Sequence, residues 1–376
     1  MPAAQPATTF SGNRVAFLHD GRQCMSAMLD LIAGAEREVL LEMYWFESDQ
    51  TGRRFAEALA DKARTGVRVC VTYDAFGSME ADPGMFEAMR AAGCGVYEYN
   101  PVRLWRPRFG LAGLNRRNHR KMLVVDGRVG LTGGVNLTNA WAPASEGGQG
   151  FRDDMVRIEG PAVGAMRDIF LRTFRGERGA EARRDRLPAP ATQGQSVVSV
   201  ISNHPRVLRR AIEQTYLGRI ARARERVLIA NSYFVPRRAV RRALADAVRR
   251  GVLVRVLVPG ESDVPAVAHA TRYLYEWMLE RGIEMYEWQR GVLHAKTAVV
   301  DGSWCTAGTY NFDHRSWEFN LEMNVAIEDA DVARALEARM QADLDASRRI
   351  RLDDWTFRPL GDRLLEVFFY RMRRLL

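Results

Sequence analysis

Lysine is scarce in this chain: of 55 basic side chains only Lys62, Lys121 and Lys296 are lysine, and all the others are arginine. Cysteine is scarce too. Cys24, Cys70, Cys94 and Cys305 are scattered with no CxxC pair, which argues against a cysteine-based zinc site or a disulfide framework and fits a reducing compartment. No run approaches the roughly 20 apolar residues of a membrane-spanning helix. The opening MPAAQPATTFSG has no apolar signal core. Any membrane contact is therefore expected to be peripheral, from the cytoplasmic side.

What is present points elsewhere. A length of 376 residues exceeds a usual single domain, so two domains or one duplicated unit is expected. An apolar content of 47% is ample for a core. The net charge of +9, carried by arginine, asks for an anionic partner: nucleic acid, a phosphorylated ligand or an acidic lipid surface. Composition does not choose among them.

The chain repeats itself. REVLLEMYWF (37–46) reads as a buried strand, followed by a helix through RRFAEALADKARTG and the strand VRVCVTYD. RERVLIANSYF (224–234), the helix RRAVRRALADAVRRG and the strand VLVRVLVPG repeat that order. AAGCGVYEYNP and ERGIEMYEWQR then each read as a helix stopped by Gly before a short strand. This alternation predicts two α/β lobes related by a pseudo-twofold axis, each a mixed, mostly parallel sheet flanked by helices. The expected boundaries are 1–175 for the first lobe, 176–195 for a linker, 196–355 for the second lobe and 356–376 for a basic amphipathic tail. The first lobe alone carries an insertion around Trp105, Phe109 and Leu111.

Two of the three lysines fall in one repeated phrase, NHRKMLVVDG (118–127) and LHAKTAVVDG (293–302). On a strand, His119 and Lys121 point the same way, as do His294 and Lys296. The following Asp-Gly reads as a turn that sets Asp126, and by the repeat Asp301, at a strand end. A His–Lys pair suits a phosphate, with the ammonium as a compact point charge and the imidazole active near neutral pH. Brought together, two such histidines can divide the labour: one attacks phosphorus, the other moves the proton of the alcohol. Lys121, Lys296, Asn136 and Asn311 would bind the non-bridging oxygens. The far nitrogen of each imidazole needs an acceptor, and Asp153 or Asp154 in FRDDM and Glu322 in FNLEMN are available. No metal-ligand cluster is visible, and no metal or other cofactor is expected. His19, His204, His269 and His314 lack a paired lysine and read as structural or surface residues; Trp141, Trp304 and Trp317 read as core, with the lining of an acyl-chain groove as the alternative.

Paired HxKxxxxD motifs with downstream GGVN-like segments resemble the phospholipase D superfamily, over residues of about 15 to 355. EMYWFESDQTGRRFAEAL, YDAFGS, RDDMVRIEGPAV and RSWEFNLEMNV look most like the bacterial cardiolipin synthases of the short type without membrane helices. The resemblance implies two phospholipase D-like lobes in which His119, Lys121, Asp126, His294, Lys296 and Asp301 are catalytic. It places Asp153 and Glu322 as the carboxylates that orient the histidines, and it favours His119 as the nucleophile. Gly308-Thr309 departs from Gly133-Gly134 of the first copy. The implied reaction makes cardiolipin from phosphatidylglycerol and a second phospholipid through a phosphohistidine. A metal-independent nuclease or a hydrolytic phospholipase D is the alternative.

The tail separates these readings. RPLGDRLLEVFFYRMRRLL (358–376) spaces Leu360, Leu364, Phe368 and Met372 one helical turn apart, with arginines outnumbering acids. It reads either as an interfacial helix on anionic lipid or as a helix docked on the body. Anionic phospholipid is the expected partner, ahead of nucleic acid.

Overall fold

The computed structural model describes residues 8–101, 115–185, 187–203 and 210–375. The insertion around Trp105 and the isolated His204 lie outside the described residues. The first lobe runs β1 (Thr8–His19), α1 (Asp20–Ala33), β2 (Glu38–Met43), α2 (Gln50–Arg64), β3 (Arg68–Asp74), α3 (Pro83–Ala91), β4 (Gly95–Tyr99), β5 (Met122–Val125), β6 (Val129–Gly133), β7 (Asp154–Glu159) and α4 (Ala162–Thr173). A helix α5 (Glu177–Arg184) follows, within the stretch 176–195 read as a linker. Its Ala182 is buried and takes a bond at its carbonyl from Arg167.

The second lobe runs β8 (Ser196–Asn203), α6 (Ala211–Arg222), β9 (Arg226–Asn231), α7 (Arg238–Arg249), β10 (Leu253–Glu261), α8 (Pro265–Arg272), α9 (Tyr275–Leu279), β11 (Glu284–Val292), β12 (Lys296–Val300), β13 (Trp304–Gly308), α10 (His314–Glu318), β14 (Glu322–Glu328), α11 (Ala330–Asp345) and β15 (Ser347–Ile350). Short α12 (Leu352–Thr356) and α13 (Leu360–Arg371) close it.

All the strands among the described residues join one mixed sheet through antiparallel pairing of β1 with β8. Outward from that seam the order is β1-β7-β6-β5-β2-β3-β4 on one side and β8-β14-β13-β12-β9-β10-β11-β15 on the other. The duplication seen in sequence is thus a duplication of strand order. Parallel pairing is narrower than expected, confined to β2-β3-β4 and β9-β10-β11. The reason is local. Three-residue turns, Asp126-Gly127-Arg128 and Asp301-Gly302-Ser303, join β5 to β6 and β12 to β13, and so short a link can only connect antiparallel strands.

Periodicity explains the layers. Phe55, Ala56, Leu59 and Ala60 recur at helical spacing on α2 and are buried, and the Asp49 carboxylate caps its start by accepting from Gly52 N. Strands such as β2 are buried on both faces. Leu40, Val124 and Ile158 of the first lobe share an interior with Leu228, Cys305 and Val325 of the second, closed by α4 and α11. The opposite face, with Leu41, Val71 and Leu123, packs under α1, α2 and α3. All four cysteines are buried and unpaired.

The Asp-Gly turns do more than reverse the chain. Asp126 and Gly127 take positive φ of 53° and 64°, and Asp301 and Gly302 take 51° and 57°, as a tight hairpin turn demands. The Asp126 carboxylate accepts from the backbone N–H groups of Glu36, Arg37 and Glu38, at 2.8–3.0 Å. Asp301 accepts in the same way from Arg224, Glu225 and Arg226. The catalytic role that resemblance implies for these two residues is not what the geometry shows. Each lies at the far end of its strand from the histidine, and each ties a hairpin to the start of the neighbouring strand. Burial pushes the Asp301 carboxyl up, but the three N–H donors and Arg226 outweigh it and hold the group below its ordinary value.

Asp301→Ala and Asp126→Ala are therefore expected to destabilise by about 1–3 kcal/mol, read as a lower Tm. Because the Asp301 pKa is depressed on folding, its contribution is complete above the ordinary carboxylate pKa and is lost as pH falls through the folded value. The Tm gap between wild type and Asp301→Ala should thus close in acid.

Candidate active site

Both HxK stretches are stitched to the opposite lobe before any side chain is considered. His119 N donates to Leu321 O at 3.0 Å, and Leu321 N donates to Arg117 O at 2.9 Å. In mirror fashion His294 N donates to Arg152 O at 2.7 Å, and Arg152 N to Val292 O at 2.9 Å. Leu321 and Arg152 immediately precede Glu322 and Asp153. The stitching therefore crosses the carboxylates over: each imidazole receives its acceptor from the other lobe. His119 Nδ1 lies 3.1 Å from both Glu322 oxygens, and His294 Nδ1 lies 2.9 Å from Asp153 Oδ2. Asp154, the other candidate in FRDDM, instead pairs with Arg152 and with His19, at 2.7 and 2.6 Å.

The lysines lie behind the histidines. Lys121 is fully buried, donates to His119 O at 2.9 Å and sits 4.9 Å from the Tyr44 ring centroid. Lys296 donates to Ser232 Oγ at 2.8 Å and to His294 O, and approaches His294 Nδ1 to 2.9 Å. Burial lowers the pKa of all four basic groups. For His119, burial outweighs Glu322 and, helped by Lys121 and Lys296, pulls the ring to about 4. For His294 burial comes first, then Lys296, with Lys121 also acting. Each imidazole thus feels the lysine of the other motif, so the two phrases converge on one place. Lys296 is lowered to about 8, by burial against the pull of Asp153. Both imidazoles are neutral near pH 7.

The carboxylates differ. Burial raises Glu322, but His119, Lys121 and the Thr309 hydroxyl bring it below its ordinary value. It accepts further bonds from Ser316 Oγ at 2.8 Å and Asn320 Nδ2 at 3.3 Å. Asp153 accepts from Trp141 Nε1 at 3.0 Å and from Asp154 N at 2.8 Å, and burial pushes it to about 7. One pair holds a firm carboxylate and the other titrates near neutrality.

The departure at Gly308-Thr309 has a clear cause. Gly134 N bonds Asp154 O and Thr309 N bonds Met323 O, so the two positions correspond. A Cβ on Gly134 would stand 2.3 Å from both Asp153 oxygens, whereas Thr309 puts a hydroxyl onto Glu322. Glycine leaves room for the short carboxylate; threonine donates to the long one. Asn136 Oδ1 accepts from Trp45 N and Asn311 Oδ1 from Ser232 Oγ, which fixes the orientation of both buried amides. Among the described residues no cluster of His, Cys, Asp or Glu could hold a metal ion.

Sequence reasoning missed several contributors. Tyr44 packs edge-on to His119 at 4.9 Å, and Trp141, read as core, packs edge-on to His294 at 5.1 Å. Tyr233 lies 6.1 Å from His294, and its hydroxyl donates to Asp263 at 2.6 Å. Arg120 reaches across to Ser202 Oγ, Asn203 O and Glu322 O. MYWF and NSYF announce aromatic residues at a strand end, but nothing in them says which ring meets a histidine.

The described family of cardiolipin synthase PLD-like domains matches residues 28–148 and 216–344, one stretch in each lobe. A probable cardiolipin synthase of Bacillus subtilis strain 168 is 31% identical over 95% of this chain and 71% of its own length. Cardiolipin synthase B of Escherichia coli strain K12 is 34% identical over 85% of this chain and 77% of its own. The chain belongs to the cardiolipin synthase family of phospholipase D-like proteins. Its fold is shared with a phosphatidylserine synthase of Haemophilus influenzae, at a TM-score of 0.72, 15% identity and coverage of 96% and 95% of the two chains. The two phospholipase D-like lobes thus carry one composite site.

Gly134→Ala should abolish turnover while circular dichroism stays native, because its methyl group displaces Asp153 from His294. Thr309→Val should cost about tenfold in kcat, the loss of one hydrogen bond to a charged group. Its acid limb in a pH–rate profile should move upward, since Glu322 then loses a donor that favours its ionised form.

Proposed function

We propose that this protein transfers a phosphatidyl group between alcohols and makes cardiolipin from phosphatidylglycerol and a second phospholipid, through a phosphohistidine. The observation that carries this is the pair of buried imidazoles, each on its own carboxylate and both flanked by two lysines. His119 is the nucleophile: its Nδ1 faces a firmly ionised Glu322, which leaves Nε2 with a lone pair and stabilises the charge that grows on attack. A His119 Nε2–P bond forms as the phosphorus–oxygen bond to the departing alcohol breaks. His294, its Nδ1 on a protonated Asp153, gives that alkoxide the proton on Nε2 as the Asp153 proton passes to Nδ1. The hydroxyl of the acceptor lipid then returns a proton to His294 while its oxygen displaces His119 from phosphorus. Lys121, Lys296 and the amides of Asn136 and Asn311 meet the non-bridging oxygens.

Lipid as the substrate class is supported by apolar surface near and beyond the site. Phe76 and Met79 are 40% and 67% exposed, on the loop that Asp74 ties to Asn118 beside His119. Helix α13 has one docked face, with Glu366 on Arg358, Phe369 stacked on His269 and Tyr370 stacked on Tyr273. Its other face leaves Leu360, Leu364 and Phe368 exposed by 74%, 71% and 54%. The two readings of the tail are thus compatible: the helix is docked, and it still offers apolar residues to a membrane interface. No helix among the described residues is long and apolar enough to cross a membrane. In the reading proposed here the protein works at the membrane surface as a peripheral one, on the cytoplasmic side.

Mass analysis of products from phosphatidylglycerol vesicles tests this reading. Cardiolipin and free glycerol should appear together, and His119→Ala and His294→Ala should each abolish both. Phosphatidic acid alone would make the protein a hydrolase, and cleavage of nucleic acid without lipid turnover would make it a nuclease. The pH–rate profile should keep its acid limb near pH 4 and begin to fall above about pH 7, as the Asp153–His294 pair loses its proton. Asp153→Asn should move the upper limb only.

A further inference from the structure

A wide groove among the described residues lies apart from the catalytic cleft. About 1350 Å³ in volume, it runs between α7, α10 and α13, and its walls are rich in arginine. Helix α10 separates the two: Ser316 faces Glu322, whereas His314 and Trp317 face the groove. Six of its arginines, Arg238, Arg241, Arg242, Arg363, Arg373 and Arg374, have no carboxylate within ion-pairing distance among the described residues, unlike Arg237, which pairs with Glu213. Eight arginines line the groove against four acids: Glu276 and Glu366 face Arg358, Glu280 faces Arg281, and Glu318 acts on His314.

Arg241 shows the imbalance most clearly. Its guanidinium lies over Trp277, 5.2 Å from the ring centroid, and its buried Nε has no hydrogen-bond partner. Burial lowers its pKa, and among its neighbours Arg238 and Arg373 push it the same way. A half-buried, unpaired donor among like charges is costly unless an anion completes it. Arginine's planar fork matches phosphate oxygens, and tryptophan faces give the cation a platform.

We infer that this groove seats the phosphate headgroup of an anionic phospholipid while α13 rests its apolar face on the bilayer. The occupant is a membrane lipid because the same helix that lines the groove with Arg363, and the turn after it with Arg373 and Arg374, exposes Leu364 and Phe368 beside it. A phosphate held there lies at headgroup depth while the leucines reach the acyl region. The groove anchors the enzyme; it is not the reacting subsite, since α10 stands between it and the histidines. The inference rests on the lipid reading of the catalytic site.

Sedimentation with vesicles tests it without turnover, so an inactive wild type would refute the transferase reading and leave this test standing. The probes are vesicles of phosphatidylglycerol in phosphatidylcholine, and of phosphatidylcholine alone. Arg241→Gln and the exposed double variant Arg238→Gln/Arg242→Gln should bind phosphatidylglycerol vesicles about tenfold more weakly than wild type. Binding to phosphatidylcholine alone, and turnover of a short-chain soluble phosphatidylglycerol, should stay within about twofold. The Tm of Arg241→Gln should hold or rise, because a repelled charge is removed; if it falls, the exposed double variant decides by the same criterion. Undiminished binding to phosphatidylglycerol vesicles overturns the inference. In that event, lost stabilisation by inorganic phosphate would mark a site for a soluble phosphate, and lost affinity for single-stranded DNA a nucleic-acid surface.

Discussion

The exchange of carboxylates between the lobes is the constraint on which the site depends. Glu322 serves His119 and Asp153 serves His294, and in each case the residue before the carboxylate is hydrogen-bonded to the backbone around the other lobe's histidine. Neither lobe holds both partners of either site pair, His119–Glu322 or His294–Asp153. The β1–β8 seam, the interior shared by both half-sheets and the reach of Arg120 and Arg152 into the second lobe all fix the relative position of the halves. A small displacement across that boundary would separate both pairs at once. Oriented groups lose catalytic power steeply with such displacement.

The halves are alike in topology and unlike in electrostatics. Glu322 is surrounded by hydroxyl and amide donors and stays ionised, whereas Asp153, with an indole and one backbone N–H, is pushed up to about 7. A duplicated scaffold thereby presents two histidines in different environments, as a reaction needing one nucleophile and one proton carrier requires. Part of the difference traces to one substitution in the repeat, Gly134 against Thr309: the threonine hydroxyl donates to Glu322, and the glycine offers Asp153 no such donor.

Much of this was legible in the sequence because two signals were strong. Arginine bias made the two buried lysines conspicuous, and the repeat placed them at matching points, so His119, Lys121, His294 and Lys296 could be named without a structure. Glu322 and Asp153 were found as nearby acids, but their crossing was not, since it arises from packing between segments about 140 and 200 residues apart in sequence. Asp126 and Asp301 illustrate the opposite error: a motif position invites a chemical role, and the turn it caps supplies a structural one. Parallel pairing was overestimated because strand–helix alternation says nothing of the hairpins inserted after it. The tail was split between docked and interfacial readings because its periodic pattern is the same for both. Only the packing of Glu366, Phe369 and Tyr370 shows that opposite faces of the helix do different things.

The central claim is that the crossed pairs are chemically unequal, with His119 bearing the covalent phosphorus. Single-turnover reaction with phosphorus-labelled phosphatidylglycerol, quenched and mapped to peptides, tests it most directly. The account predicts an acid-labile, base-stable label on the peptide containing His119, absent in His119→Ala. Label found on His294 and never on His119, or full turnover with no covalent label at any time, would contradict it.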